Sequence, residues 1–292
     1  MPNPKTIIFC GTPEFAVPSL EALAADSEFK IELVITQPDK PVGRKQIVTP
    51  PPVKVCAEKL GIEVYQTEDI NNHDSDSGFR IPKFDVLITV AYGQILKQPI
   101  LNLPKIAPIN IHPSLLPKLR GASPIQNAIL SGDNETGTTI QIMTEKLDAG
   151  DIVGQVVTDI AERETATSLH DRLAELSASL LIKTLKKPLS PAPQNESEAT
   201  FCKKLSREDG QVDTKTMLAE EIDRKVRALV PWPGVTCNVE GQELKIIETS
   251  LIETDNSVEV QCADNSKLFL ITVQPPGKKE MTAKEWGRGI RG

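Results

Sequence analysis

A chain of 292 residues has room for about two domains, and 39% hydrophobic against 25% charged side chains describes a folded globular protein, not a disordered or membrane one. A net charge of −7 argues against binding nucleic acid through bulk positive charge, and 4% aromatic residues against an extended stacking platform for single strands. An RNA partner would have to be met by local basic patches: residues 1–200 carry 19 Lys and Arg against 25 Asp and Glu, whereas residues 201–292 carry 14 against 15.

The five cysteines, Cys10, Cys56, Cys202, Cys237 and Cys262, are scattered, with no C-x-x-C pair. That is the usage of a reducing compartment and not of a disulfide scaffold or a zinc site. None of the three histidines, His73, His112 and His170, stands at metal-ligand spacing from another His or Cys, so no metal is expected. No apolar run approaches membrane-spanning length and the N-terminus lacks a signal-peptide pattern. Cytoplasm is the simplest address, or an organelle after loss of a transit peptide, and a monomer the simplest assembly.

In chain order, Thr6 to Cys10 reads as a buried strand broken by Gly11-Thr12-Pro13, and Glu14 to Ala25 as a helix with Phe15, Leu20 and Leu23 on its apolar stripe. Lys30 to Thr36 is the next strand, which makes a βαβ unit and implies a parallel sheet. The turn at Gly11 lacks the G-x-G-x-x-G pattern of a dinucleotide site. Gln37 to Pro52 (QPDKPVGRKQIVTPPP) is a long proline-rich loop in which Lys40, Arg44 and Lys45 oppose only Asp39. Loops of this length in compact domains are functional or simply solvated, and both readings stand. Val53 to Leu60 is a helix closed by Gly61, Glu63 to Tyr65 a short strand, and Asn71 to Gly78 a polar loop holding a solvated His73.

Phe84 to Ala91 is the strongest strand signal, running into Tyr92-Gly93-Gln94-Ile95-Leu96. Ile106 to His112 follows, then a loop with Arg120-Gly121 and a helix from Ser123 to Leu130. Strands at 138–143 and 152–158 flank Lys146 to Asp151, and Thr167 to Lys186 is a long amphipathic helix on which His170 reads as structural. Lys187 to Thr200, with three prolines, has the composition of a linker. Beyond it, Ala219 to Val230 is a helix stopped by Pro231-Trp232-Pro233-Gly234, and apolar alternation near 235–239, 243–249, 257–262 and 267–273 suggests a small antiparallel barrel. The expected fold class is therefore α/β: a Rossmann-like, mostly parallel sheet domain over 1–186, a linker over 187–202, and a small β-barrel domain over 203–292.

The stretch Asn110 to Gly121 (NIHPSLLPKLRG) concentrates the chemistry. On a strand, Asn110 and His112 share a face, and Pro113 ends the strand beside them. An amide and an imidazole can donate to a developing oxyanion, and the imidazole can move a proton. The same residues also fit a strand end whose Asn turns the chain and whose His is solvated. Ligands of open α/β sheets bind beyond the carboxyl ends of strands, and the segments at 92–96, 110–117 and the Asp148 loop all leave such ends. Asp148 would add a carboxylate, with Asp151 as a competing candidate, and Asn, His and Asp together suit acyl transfer to an amine. No Ser or Cys nucleophile is evident; Ser114 lacks the small-residue turn of a nucleophile elbow.

Asn110 to Gly121 followed by ASPI, together with Leu147 to Asp151 (LDAGD), resembles the signature of the folate-dependent formyltransferases. The segments GTPEFAVP, QPDKPVGR, AYGQIL, EDGQVD, VRALVPWPG and PGKKEM carry the resemblance over nearly the whole chain. It implies a Rossmann-like domain joined to a barrel resembling an OB fold, and transfer of the formyl group of 10-formyltetrahydrofolate to the α-amino group of methionine on initiator tRNA. It also implies that Asn110 and His112 hold the formyl oxygen as it becomes an oxyanion, and that Asp148 accepts a proton and partners His112. Ser114, Leu115, Leu116 and Pro117, with the backbone around Ile95 and Leu96, would line the folate pocket. Arg44 would lead the contact with the tRNA acceptor stem, with Lys40 and Lys45 beside it. The loop runs Gly43-Arg44-Lys45-Gln46 where the family commonly has G-R-G and further basic residues, so it looks shortened. The basic C-terminal segment, Lys278, Lys279, Lys284, Arg288 and Arg291 against Glu280 and Glu285, is then expected to carry more of the RNA contact.

Two rival readings differ in class. A formyl transferase acting on glycinamide ribonucleotide is usually a single domain, which the segment from Phe201 onward argues against. A tRNA-binding protein without catalysis is disfavoured by the intact Asn110, His112 and Asp148.

Overall fold

The protein is represented by a computed structural model that describes residues 3–43, 45–72 and 81–290. Arg44, His73 and Arg291 lie outside the described residues.

The chain opens with β1 (Lys5–Gly11), α1 (Val17–Ala25) and β2 (Phe29–Thr36). Ile7, Ile8, Phe9 and Cys10 are all fully buried, the continuous apolar run of a strand covered on both faces. Each such side chain contributes about 1.5–3 kcal/mol of burial. The segment read as a long loop contains a hairpin, β3 (Lys40–Val42) paired antiparallel with β4 (Ile47–Thr49). The β-branched Val42, Ile47, Val48 and Thr49 favour extended backbone, and Gly43 and Gln46 take the left-handed conformations (φ +71° and +50°) that turn the ribbon.

There follow α2 (Pro52–Lys59), β5 (Val64–Gln66), β6 (Val86–Val90), α3 (Gln98–Leu101), β7 (Ala107–His112), β8 (Arg120–Gly121), α4 (Pro124–Ser131), β9 (Glu135–Ile142), β10 (Ile152–Asp159) and α5 (Ala166–Leu185). The main sheet has seven strands in the order β10-β9-β7-β6-β1-β2-β5, and its central pairs from β5 to β7 are parallel. Asp85, just before β6, staples the sheet: its Oδ2 accepts from the backbone N–H and the hydroxyl of Thr6, both at 2.8 Å. On α5 the residues at four-residue spacing, Leu169, Leu173, Ser177, Leu181 and Leu185, form the buried face.

The remaining elements are β11 (Phe201–Cys202), β12 (Gln211–Val212), α6 (Ala219–Leu229), β13 (Val235–Val239), β14 (Gln242–Ser250), β15 (Val258–Gln261), β16 (Lys267–Gln274), β17 (Met281–Thr282) and α7 (Ala283–Ile290). The β-rich sheet runs β12-β13-β14-β16-β15, with β17 pairing β16. Four of its strands match the alternations seen in the sequence; β12 and β17, two residues each, are too short to carry one. At the start of α6 the Glu221 side chain accepts from the Leu218 N–H at 2.9 Å, and its end is closed by the Gly234 N–H on the Leu229 carbonyl at 2.8 Å. Within the basic C-terminal segment, Lys284 and Arg288 lie on α7, whose Trp286 is buried and donates to Gln242 Oε1 at 3.0 Å.

The chain packs as two compact units, one of Met1–Gly121, Thr136–Thr158 and His170–Phe201, the other of Ala122–Glu135, Asp159–Leu169 and Cys202–Gly292. Two segments that precede the linker thus belong by contact to the second unit. The reason is local: α4 packs on α6, and Arg163 donates two hydrogen bonds to the buried Asp223 at 2.8 and 2.9 Å. Asp223 also accepts from Arg227 Nε at 2.9 Å and Thr249 Oγ1 at 2.8 Å, so this buried carboxylate is fully partnered.

Candidate active site

Strand β7 places the first two groups. Its register sets Asn110 beside Thr89 of β6 on one side and opposite Gln141 of β9 on the other, with His112 opposite Thr139. Residues two apart on a strand share a face, so Asn110, His112, Gln141 and Thr139 lie on one side of the sheet. The turn that follows is held from β9. Thr139 Oγ1 donates to the Ser114 carbonyl at 2.7 Å and accepts from the Leu116 N–H at 3.1 Å, while Gln155 donates to both Thr139 Oγ1 and the Leu116 carbonyl. The Leu116–Pro117 bond is cis, and Leu119 adopts φ +57°. Its carbonyl meets His112 Nε2 at 2.9 Å. A carbonyl can only accept, so Nε2 carries the hydrogen and Nδ1 is the ring atom free to exchange a proton.

Nδ1 faces Asp148 Oδ2 at 3.6 Å, with both side chains more than nine-tenths buried. The carboxylate is fixed by two further donors, the Gly121 backbone N–H to Oδ2 and Gln141 Nε2 to Oδ1, each at 2.9 Å. Its route to this position differs from the one expected. Because β9 runs antiparallel to β7, the loop after β9 leaves the end of the sheet opposite to His112. It reaches the imidazole by folding back over the face, with the Met143 N–H on the Pro108 carbonyl at 2.8 Å and the Gly150 N–H on Gln141 Oε1 at 3.2 Å. Gly150 is required there, since a Cβ would stand 1.7 Å from the Ile142 carbonyl oxygen. Asp148 itself sits at φ +48°, a left-handed conformation that costs a non-glycine residue about 1 kcal/mol or more and is held by its surroundings. Asp151, the competing carboxylate, is exposed and contributes its carbonyl to the Ile142 N–H.

Asn110 is half-buried, and its side-chain amide makes no hydrogen bond among the described residues. An amide free to donate, next to an imidazole that faces a buried carboxylate, is a donor set suited to an oxyanion. Cys10 and Cys56 are unsuited to a nucleophilic role: burial pushes the Cys10 thiol far above its ordinary range, and burial and then Glu21 push Cys56 up to about 11.

Ser114 is fully buried and its hydroxyl donates to the Lys118 carbonyl at 2.6 Å; Leu116 is buried, and Leu115 and Pro117 are half-buried. Ile95 is 78% exposed with its carbonyl accepting from Asn71 Nδ2 at 2.9 Å, whereas the Leu96 side chain enters the core beside Tyr92 and Ile100. Lys40 and Lys45 are exposed on the hairpin, Lys40 bonded to Gln37. His170 packs edge-on against Phe15, as a structural histidine does. A cavity in the second unit, lined by Asn127, Lys203, Met217 and Arg224 among others, includes none of the candidate site residues. Gln141 and the Gly121 amide were missed by sequence reasoning. Gln141 had a signal, one alternation step from Met143 on the strand preceding Asp148; the Gly121 amide had none, because a backbone donor leaves no mark in residue type.

Residues 5–185 match the formyl transferase family, and residues 204–291 match the formyl transferase C-terminal domain. The chain is 41% identical over 299 residues to the methionyl-tRNA formyltransferase of Macrococcus caseolyticus and 42% identical over 304 residues to that of Bacillus cereus, covering 98% of this chain and 96% of each relative. It belongs to the methionyl-tRNA formyltransferase family. Among solved structures, an N-formyltransferase from Helicobacter canadensis shares the fold at a TM-score of 0.68 with 19% identity, over 91% of this chain and 98% of that one. HypX from Aquifex aeolicus shares it at 0.62 with 17% identity, over 99% of this chain, which spans 48% of the HypX chain.

Proposed function

We propose that the protein transfers the formyl group of 10-formyltetrahydrofolate to the α-amino group of methionyl initiator tRNA, giving N-formylmethionyl-tRNA for translation initiation. The observation that carries the reading is the buried His112–Asp148 pair beside the free amide of Asn110, on a chain that matches methionyl-tRNA formyltransferases nearly end to end. Asn110 donates to the formyl oxygen as it becomes an oxyanion, and His112 adds positive charge there when protonated. Asp148 accepts the proton that the attacking amine loses, directly or through His112 Nδ1, as the new C–N bond forms. The same proton returns to the folate nitrogen as its bond to the formyl carbon breaks, so the cycle needs no outside acid or base.

Ser114, Leu115, Leu116 and Pro117, with the backbone of Ile95 and Leu96, line the folate pocket in this reading. Lys40, Arg44 and Lys45 meet phosphates of the acceptor stem, which makes tRNA binding salt-sensitive. The two family matches support a division into a formyl-transfer domain over 1–186, a linker over 187–202 and a tRNA-binding OB-like domain over 203–292. The protein acts as a monomer in the cytoplasm, where initiator tRNA is charged and used. The test is direct: purified protein with 10-formyltetrahydrofolate is offered methionyl initiator tRNA or glycinamide ribonucleotide. Formylation of methionyl-tRNA is expected; formylation of the nucleotide alone overturns the reading.

A further inference from the structure

Gln194 lies in a segment whose composition marks it as a linker, yet it is bonded to the loop that carries the proposed proton acceptor. Its Nε2 donates to the Asp148 carbonyl at 2.9 Å and to the Gly150 carbonyl at 2.7 Å, and lies 3.4 Å from Gln141 Oε1. These are the two backbone positions bracketing the turn at Ala149. The same side chain accepts through Oε1 from Arg120 Nε at 3.1 Å and Nη2 at 2.7 Å. Arg120 is fully buried, and its remaining face holds Glu196 in two hydrogen bonds at 3.0 and 3.2 Å. The Arg120 guanidinium, then Lys146, keep the Glu196 carboxyl below its usual range.

We infer that Gln194 is a positioning residue for Asp148: the segment at 194–196, locked to Arg120, clamps the Asp148 loop in the left-handed turn that aims its carboxylate at His112. This rests on the proposed role of Asp148. A turn that folds back over a sheet face presents carbonyls that no ladder partner satisfies. One primary amide with two hydrogens supplies both missing donors at once, and a planar guanidinium fixes the amide's orientation so that nitrogen and not oxygen faces the turn. Residues 120, 148 and 194 thus form a connected unit in which the reactive carboxylate is the outermost member, and a displacement of about 1 Å there is enough to cost roughly 100-fold in rate.

The test is a double-mutant cycle on the full chain. Gln194→Ala is expected to lower turnover roughly 10- to 100-fold with the KM for the folate donor within about twofold of wild type. In an Asp148→Ala background the same substitution should cost nothing further, because its effect acts only through that carboxylate. Gln194→Glu, which keeps the acceptor for Arg120 and loses the donors, should reproduce the loss and serves if the alanine variant does not fold. A readout free of activity accompanies it: the Gly121 and Gly150 amides should exchange hydrogen faster in either variant. Wild-type turnover in the variants, or a loss undiminished in the Asp148→Ala background, overturns the inference. Unchanged exchange at both glycines overturns it also if the wild-type protein proves inactive on methionyl-tRNA, which would be a failure of the proposed function instead.

Discussion

Gln141 stands directly across the β7–β9 ladder from Asn110, and its amide ties that strand pair to the loop bearing Asp148, donating to Oδ1 at 2.9 Å and accepting from the Gly150 N–H at 3.2 Å. One cross-strand position therefore sets the distance between the proposed oxyanion donor and the proposed proton acceptor. Gln141→Ala leaves a buried carboxylate oxygen and a buried N–H without these partners. Stability should fall by about 1–3 kcal/mol in urea titration, and turnover by at least about 10-fold. Wild-type turnover in a stable variant would remove Gln141 from the site.

Substitution at the centre of the site separates chemistry from binding. His112→Ala and Asp148→Ala should each lose turnover by at least about 100-fold, on the scale of general acid–base catalysis. Folate binding, followed by equilibrium dialysis, should be largely unchanged in both. Near-normal turnover in Asp148→Ala would shift the acceptor role to Asp151 or solvent.

The Asp85 staple gives a pH signature. The Thr6 backbone N–H, then its hydroxyl, then Lys105 hold the Asp85 carboxyl below its ordinary range in the native state. A depressed native value means that the stabilisation is fully present above the unfolded value, near pH 4, and is lost as pH falls through the native value. Asp85→Asn should cost about 2 kcal/mol at neutral pH, the scale of hydrogen bonds to a charged acceptor. The gap to wild type should close on acidification, and a gap independent of pH would assign the effect to shape.

The buried Asp223 offers a test confined to the second unit. Both tryptophans, Trp232 and Trp286, belong to that unit, so indole fluorescence follows its unfolding alone. Asp223→Ala leaves Arg227 and Thr249 without their shared acceptor and should destabilise the unit by about 3 kcal/mol. A shift below about 0.5 kcal/mol would show that water replaces the carboxylate at no cost.

For the basic segment at 40–45, Lys40→Ala, Arg44→Ala and Lys45→Ala should each weaken tRNA binding with little effect on folate. Each should flatten the dependence of log affinity on log salt by about 1 for a lost phosphate contact. Unchanged slopes would leave the hairpin as solvated surface.

What was readable in the sequence follows from where the signal lies. Buried strands such as Ile7 to Cys10 and Val86 to Val90 announce themselves because every side chain must be apolar, and α6 because its stripe and its stop at Pro231 agree. Asn110 and His112 were readable as a pair because a strand's period of two puts them on one face. The hairpin at 40–49 was hidden under prolines and charges, since a two-stranded ribbon exposed on both faces needs no alternation. The Asp148 partners were hidden for a different reason: the antiparallel direction of β9 and the roles of Gln194 and Arg120 are tertiary facts, and a glutamine in a proline-rich stretch looks like solvent-exposed filler.

The direction of β9 has one more consequence, for assembly. Asn110 and His112 are delivered from one rim of the sheet and Asp148 from the other, and the pairing of Asn110 with Gln141 is one of the ties that bring them together. Sliding β9 by a single residue would turn Gln141 to the far face and carry the Asp148 loop with it. A chain that zipped this one ladder out of phase could bury much the same apolar surface and still be inert, so strand alignment works here as a quality check on which the chemistry depends.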